Sequence, residues 1–148
     1  MQTELVSIGT ELLLGDIVDT NAAYLADKLS ELGINVYYKT TVGDNAQRLA
    51  AALRISLGRA DVVLATGGLG PTEDDVTAAA VADVAGVELV EDEAAANQIR
   101  SIVRQRGWKL LDSLLKQARV PRGAIAVPNP VGTAAGFILS KDAKTVIA

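Results

Sequence analysis

Short apolar, β-branched runs alternate along this chain with longer stretches whose apolar positions recur every three or four residues. Leu5-Val6-Ser7-Ile8-Gly9 reads as a buried first strand ending at a glycine. After Thr10-Glu11-Leu12-Leu13-Leu14-Gly15 and a mixed connection, Ala22, Leu25, Leu29 and Leu32 fall near helical spacing. Thr20 or Asn21 is the expected cap of that helix and Gly33 its stop. Ile34–Val42 is strand-like, and Ala46–Ser56 is a second helical stretch that Gly58 is expected to end. A third strand, Asp61–Ala65, leads into a glycine-rich turn and then a third helix over Asp75–Ala85. Glu88–Val90 reads as a short extended piece, Glu91–Arg106 and Lys109–Ala118 as helices, and Pro121-Arg122-Gly123 as a turn. Ala124–Val127 is a strand, and Gly136–Ser140 and Thr145–Ala148 form a hairpin around Lys141-Asp142-Ala143-Lys144.

Three β–α repeats at similar spacing imply right-handed crossovers, hence an α/β three-layer sandwich with a mostly parallel sheet. The 148 residues suit a single domain, and 49% apolar content with 3% aromatics means a core of Val, Leu, Ile and Ala. The net charge of −4, with no basic cluster, argues against nucleic acid as a partner. With no cysteine and no histidine, disulfides, Cys/His zinc sites and Ser-His-Asp or Cys-His catalysis are all excluded. A bound metal would need oxygen ligands, which points to a Mg²⁺-like divalent ion. No stretch suits a membrane span and the N-terminus lacks a leader pattern, so no membrane partner and a cytoplasmic location are expected. The chain stops inside an apolar strand; a domain truncated at its C-terminal end, and self-association into a homo-oligomer, are the expectations.

In an open α/β sheet, ligands bind beyond the carboxyl ends of the strands. Thr10-Glu11, Gly43-Asp44-Asn45, Gly67 through Asp75 and Asn129 through Thr133 would all lie on that edge. Thr66-Gly67-Gly68-Leu69-Gly70-Pro71-Thr72 joins a strand to a helix start, where free N–H groups favour an anion. It is neither a Walker loop nor a dinucleotide fingerprint, because the Gly-Lys-Ser/Thr and the Gly three residues on are missing. One of Asp74 and Asp75 suffices to cap a helix; the second is available for metal binding or for orienting water. Thr77 either extends that polar set or caps. Locally, Asp44 is a turn residue before the N-cap Asn45, and Glu11 is a surface acid beside an apolar Leu12-Leu13-Leu14 run. The loop with Gly132 and Thr133 is stiffened by Pro128 and Pro130 and is a turn or a rigid pocket wall. Lys116 is a lone lysine, either solvated or in reach of phosphate.

Gly9-Thr10-Glu11-Leu12-Leu13-Leu14-Gly15, Asp19-Thr20-Asn21, Val42-Gly43-Asp44-Asn45, Thr66 through Thr72, Asp74-Asp75-Val76-Thr77, Lys116-Gln117-Ala118 and Pro128-Asn129-Pro130-Val131-Gly132-Thr133 stand in this order. In these stretches the chain closely resembles the N-terminal domain of the CinA, or competence/damage-inducible, family. The resemblance implies the molybdopterin-binding fold of MogA/MoaB- and gephyrin-type proteins. In those relatives the aspartates matching Asp44 and Asp75 belong to an adenylylation site. In CinA proteins this domain acts as a metal-dependent ADP-ribose pyrophosphatase, and a separate C-terminal domain deamidates nicotinamide mononucleotide. The family continues from its last strand into a Leu-Pro-Gly-Pro-Pro-x-Glu loop that is not in this sequence, and Ser113-Leu114-Leu115 stand where it tends to have polar residues.

The resemblance and the loop placement imply one expected site. The residues from Thr66 to Thr72, with Gly132 and Thr133, hold a nucleotide or pterin diphosphate. Asp74 and Asp75, with Asp44 nearby, carry a divalent metal and orient water, while Thr10 and Glu11 meet the nucleoside or pterin end. The expected activity is cleavage of ADP-ribose to AMP and ribose 5-phosphate. Adenylyl transfer to molybdopterin and a non-catalytic nucleotide- or pterin-binding module are the alternatives.

Overall fold

The computed structural model describes residues 1–148. Strand β1 (Thr3–Ile8) is buried at all six positions, so it is covered on both faces, as a central parallel strand must be. It pairs in parallel with β2 (Val36–Val42) and with β3 (Val62–Thr66), and β3 pairs in parallel with β8 (Lys144–Ile147). β7 (Gly136–Lys141) and β6 (Ile125–Val127) complete a six-stranded sheet in the order β2-β1-β3-β8-β7-β6. β7 alone runs against the others, being antiparallel to both β8 and β6. The carboxyl ends of β1, β2, β3 and β6 therefore share one edge, and the four loops singled out above all leave from it.

Alternate residues of β1 serve opposite faces. Val6 and Ile8 pack with Leu49 and Leu53 of α3 (Ala46–Arg59) and with Ala80 and Val81 of α4 (Thr77–Ala85), in the main core of 14 residues. Leu5 packs on the other face with Ala22 and Leu29 of α2 (Thr20–Glu31). Leu49 and Leu53 are wholly buried, each contributing about 1.5–3 kcal/mol relative to exposure. A separate cluster of six residues joins α5 (Glu93–Gln105) to Ala118 and Ala135. No helix is long and apolar enough to cross a membrane.

Several boundaries differ from the sequence reading. Thr10–Leu14 forms a short helix, α1. The cap of α2 is Asp19, whose carboxylate accepts from Ala22 N at 2.9 Å, rather than Thr20 or Asn21. Gly58 does not end α3, which runs one residue further; a glycine in a helix costs only about 1 kcal/mol and the main core outweighs that. α4 starts at Thr77, not Asp75, because the Asp75 side chain folds back onto Thr72. The expected Lys109–Ala118 helix shrinks to α6 (Asp112–Lys116). Beyond it, Arg119–Pro121 becomes β5 and pairs antiparallel with β4 (Leu89–Glu91), a long-range pairing that recruits residues expected in a helix and a turn.

Candidate functional site

The turn after β3 is shaped by what lies beneath it. Gly67 and Gly68 have φ of +100° and +64°, a region closed to most side chains. A Cβ at Gly67 would overlap the carbonyl oxygen of Ile8, and one at Gly68 would overlap the Thr77 hydroxyl. A Cβ at Gly70 would meet the Asp75 carboxylate. Each glycine thus answers to a separate neighbour within the protein. Thr77, fully buried, straps the turn to α4: its hydroxyl donates to Gly67 O at 2.8 Å and its amide to Gly68 O at 3.1 Å.

Asp75 closes the far end of the turn. Its Oδ2 accepts from the Thr72 amide at 2.8 Å and the Thr72 hydroxyl at 2.6 Å. Burial pushes the Asp75 carboxyl up, but the Thr72 hydroxyl and amide, the Gly70 amide and the Lys116 charge outweigh it and hold the group below the usual aspartate value. Lys116 Nζ donates to Thr72 O. A cation and an ionised carboxylate therefore both engage Thr72, next to Pro71. Asp74 is exposed beside them.

Gln117 is the residue that sequence reading passed over. Nearly buried, it donates from Nε2 to Leu69 O at 3.3 Å and accepts from the Thr133 hydroxyl at 2.8 Å. It links the glycine turn to the loop after β6. That loop is held by Asn129, whose Oδ1 accepts from the Val131 and Gly132 amides at 3.0 Å and whose Nδ2 donates to Ala134 O at 2.9 Å. The place of Gln117 in Lys116-Gln117-Ala118 was the available signal; its partners, 48 and 16 residues away, were not.

On the other side of Gly67, Thr10 and Asp44 clip two strand ends together. Asp44 Oδ2 accepts from the Thr10 amide at 2.8 Å, and the Asp44 amide donates to the Thr10 hydroxyl at 3.1 Å. Next to this clip a cleft of about 130 Å³ is lined by Glu11, Thr20, Asn21, Thr66 and Gly67, with Leu12 and Ile17 among its apolar walls. A larger apolar cleft, about 210 Å³, lies between α3, α4 and the β7–β8 hairpin and shares no residue with this edge.

The structure thus brings Thr66, Gly67 and Glu11 into one cleft, Thr72, Asp75 and Lys116 into one cluster, and Leu69 and Thr133 onto Gln117. It does not gather Asp44 with Asp74 and Asp75: no set of three acidic side chains converges to hold a metal, because Asp44 is drawn to Thr10. The donor set still fits a divalent ion shared with a ligand. Asp74 and Asp75 offer hard oxygens, and Mg²⁺ usually takes one or two carboxylates and completes its shell with phosphate and water.

A family model described as a probable molybdopterin-binding domain matches residues 4–148. A putative competence-damage inducible protein of Caldicellulosiruptor bescii is 51% identical over 147 residues, covering 99% of this chain and 36% of the relative. The chain thus spans about a third of the length of the curated relatives it matches. The crystal structure of CinA from Thermoplasma acidophilum, described as of unknown function, superposes with a TM-score of 0.90 at 35% identity, covering 99% of this chain and 85% of that one. The molybdopterin biosynthesis enzyme MoaB of Thermus thermophilus has a TM-score of 0.65 at 16% identity, over 99% and 78% of the two chains, and shares the fold.

Proposed function

This chain belongs to the probable molybdopterin-binding domain family, in its CinA-type form, and from that premise we propose that it binds a nucleoside or pterin diphosphate and, with a divalent ion, hydrolyses ADP-ribose to AMP and ribose 5-phosphate. The observation that carries the reading is the meeting of Lys116 and Asp75 on Thr72, at the end of the glycine turn.

In this reading the amides of Gly67 through Leu69 donate to the diphosphate oxygens, the Gly70 amide being held by Asp75, and Lys116 adds a positive charge beside them. Asp74 and Asp75 would hold a divalent ion shared with the ligand, which when bound offsets charge on the phosphoryl oxygens. Asp75 keeps one oxygen on Thr72 and offers the other to the attacking water. The water oxygen bonds to phosphorus as the bridging P–O bond breaks; the water's proton passes by way of the Asp75 carboxylate to solvent, and the departing phosphate keeps the bridging oxygen. Two phosphate monoesters result. Asp44 acts through the Thr10 clip, as a positioning residue.

The test is AMP release from ADP-ribose by the purified chain with Mg²⁺, alongside calorimetric binding. Asp75→Asn should cut turnover by about 100-fold or more while leaving ADP-ribose binding within a few-fold. Unchanged turnover would remove Asp75 from the chemistry. A second reading, a non-catalytic nucleotide- or pterin-binding module, draws on Asp44 and Asp75 each spending an oxygen on the loops of the site. Tight binding with no AMP released by the native chain is its signature.

A further inference from the structure

The cleft beside Gly67 contains one carboxylate without structural duties. Asp19, the other carboxylate that lines it, caps α2, and Asp44, outside it, holds Thr10. Glu11 does neither. Its side chain folds back over Gly9, with its carboxylate oxygens within 2.9 Å of where a Cβ would stand, so only glycine at that position lets it lie there. None of the ion pairs engages it. It shares the cleft with the Thr20 and Thr66 hydroxyls, the Asn21 amide and Gly67 itself.

A carboxylate only accepts hydrogen bonds when ionised. What enters this cleft must therefore present donors, although the adjoining turn suits an anion. A ligand satisfying both carries a phosphate next to a neutral group with paired donors. Two such groups are common: the vicinal diol of a ribose and the N–H edge of a pterin or guanine. The cleft has no aromatic residue among its walls, so it offers a flat ring system no stacking partner. At about 130 Å³ it is also well below the volume of a site that swallows a whole nucleotide. Both features favour one sugar ring.

We infer that Glu11 is a ribose receptor, accepting from the 2′- and 3′-hydroxyls of a nucleoside diphosphate whose phosphates lie on the Gly67–Gly70 turn. The inference rests on the diphosphate reading above and adds to it a specificity: ribose-bearing ligands over their 2′-deoxy counterparts. Bidentate acceptance by a carboxylate discriminates because the deoxy ligand leaves one charged acceptor oxygen unpaired.

The experiment is calorimetric titration of the 148-residue chain, with Mg²⁺ present, by ADP, 2′-deoxy-ADP and inorganic pyrophosphate, repeated on Glu11→Ala. The native chain should bind ADP about 10-fold more tightly than 2′-deoxy-ADP. Glu11→Ala should erase that difference without weakening pyrophosphate binding, since it removes a negative charge beside the anion site. Equal affinity for ADP and its deoxy form, with pyrophosphate still bound, overturns the ribose assignment and leaves the anion site standing. If none of the three binds, both readings fall. Displacement of ADP by a phosphate-free pterin in a Glu11-dependent manner also overturns it, since the cleft would then read a ring edge.

Discussion

Glu4 is the one carboxylate that this fold buries completely. Arg59 donates to both of its oxygens at 2.8 Å, Thr40 donates at 2.7 Å, and the guanidinium lies over the Tyr38 ring. Burial pushes the Glu4 carboxyl up, but the Arg59 fork and the Thr40 hydroxyl outweigh it and hold the group below the usual glutamate range. A carboxyl that titrates lower folded than unfolded adds stability that is complete above its unfolded value. That stability is lost as pH falls through the folded value. Urea titrations across pH should therefore show the native chain weakening on acidification below pH ~4. Asp75 contributes with the same sign. Arg59→Leu leaves Glu4 buried with the Thr40 hydroxyl as its remaining side-chain donor, and should lower stability at neutral pH. The deficit should shrink on acidification, because a protonated Glu4 no longer needs the partner. Unchanged stability at neutral pH would show that water already compensates the charge. At Ala143, φ is +61° in the turn between β7 and β8. Ala143→Gly should raise the unfolding free energy by about 0.5–1 kcal/mol, read from the same titrations.

Between elements, the tie most relevant to the site runs through α6. This five-residue helix buries none of its own side chains fully; Leu114 and Leu115 pack against the α5 cluster, and the ties to the site leave from its end. Lys116 reaches Thr72, and Gln117 bridges Leu69 and Thr133. Gln117→Leu keeps the volume but deletes the bridge and leaves the Thr133 hydroxyl without its partner. It should lower stability by only about 1 kcal/mol. ADP-ribose affinity should fall several-fold, because the turn and the Thr133 loop are no longer held in register. Calorimetry against a urea midpoint separates the two effects. Wild-type affinity in a properly folded variant would mean that the two loops hold their places without Gln117.

At the scale of the whole molecule, three apolar clusters of unequal size carry the structure. The main one spans both helices on one face of the sheet and wholly buries Leu49, Leu53, Val63 and Phe137. The cluster built on α5 buries six residues, four of them alanine. Smaller apolar side chains give up less surface per residue ordered, so α5 and α6 should open before the sheet. Native-state hydrogen exchange should find amides of β1 and β3 protected to the global limit and those of α5 exchanging at lower free energy. Because α6 carries Lys116 and Gln117, ligand binding should raise protection in α5 and α6 above its effect on β1. Uniform protection across the main and α5 clusters would remove this division.

Periodicity alone carried the architecture. The Leu5–Ile8 run of β1, the helical spacing in α2 and α3 and the hairpin at Asp142-Ala143 are local signals, because side-chain direction repeats every 2 or 3.6 residues whatever the partner. The glycine turn and its acidic neighbours stood out for the same reason: three glycines in four residues mark backbone that side chains cannot follow. What the sequence could not determine was pairing between distant residues. β5 exists because β4 offers it a ladder, and Asp44 leaves the acidic set because Thr10 lies opposite it. Gln117 matters because the fold sets Leu69 and Thr133 on either side of its amide. Each is a hydrogen bond closed across many residues of chain. Its geometry is set by how the layers pack, not by the residues on either side of it in sequence.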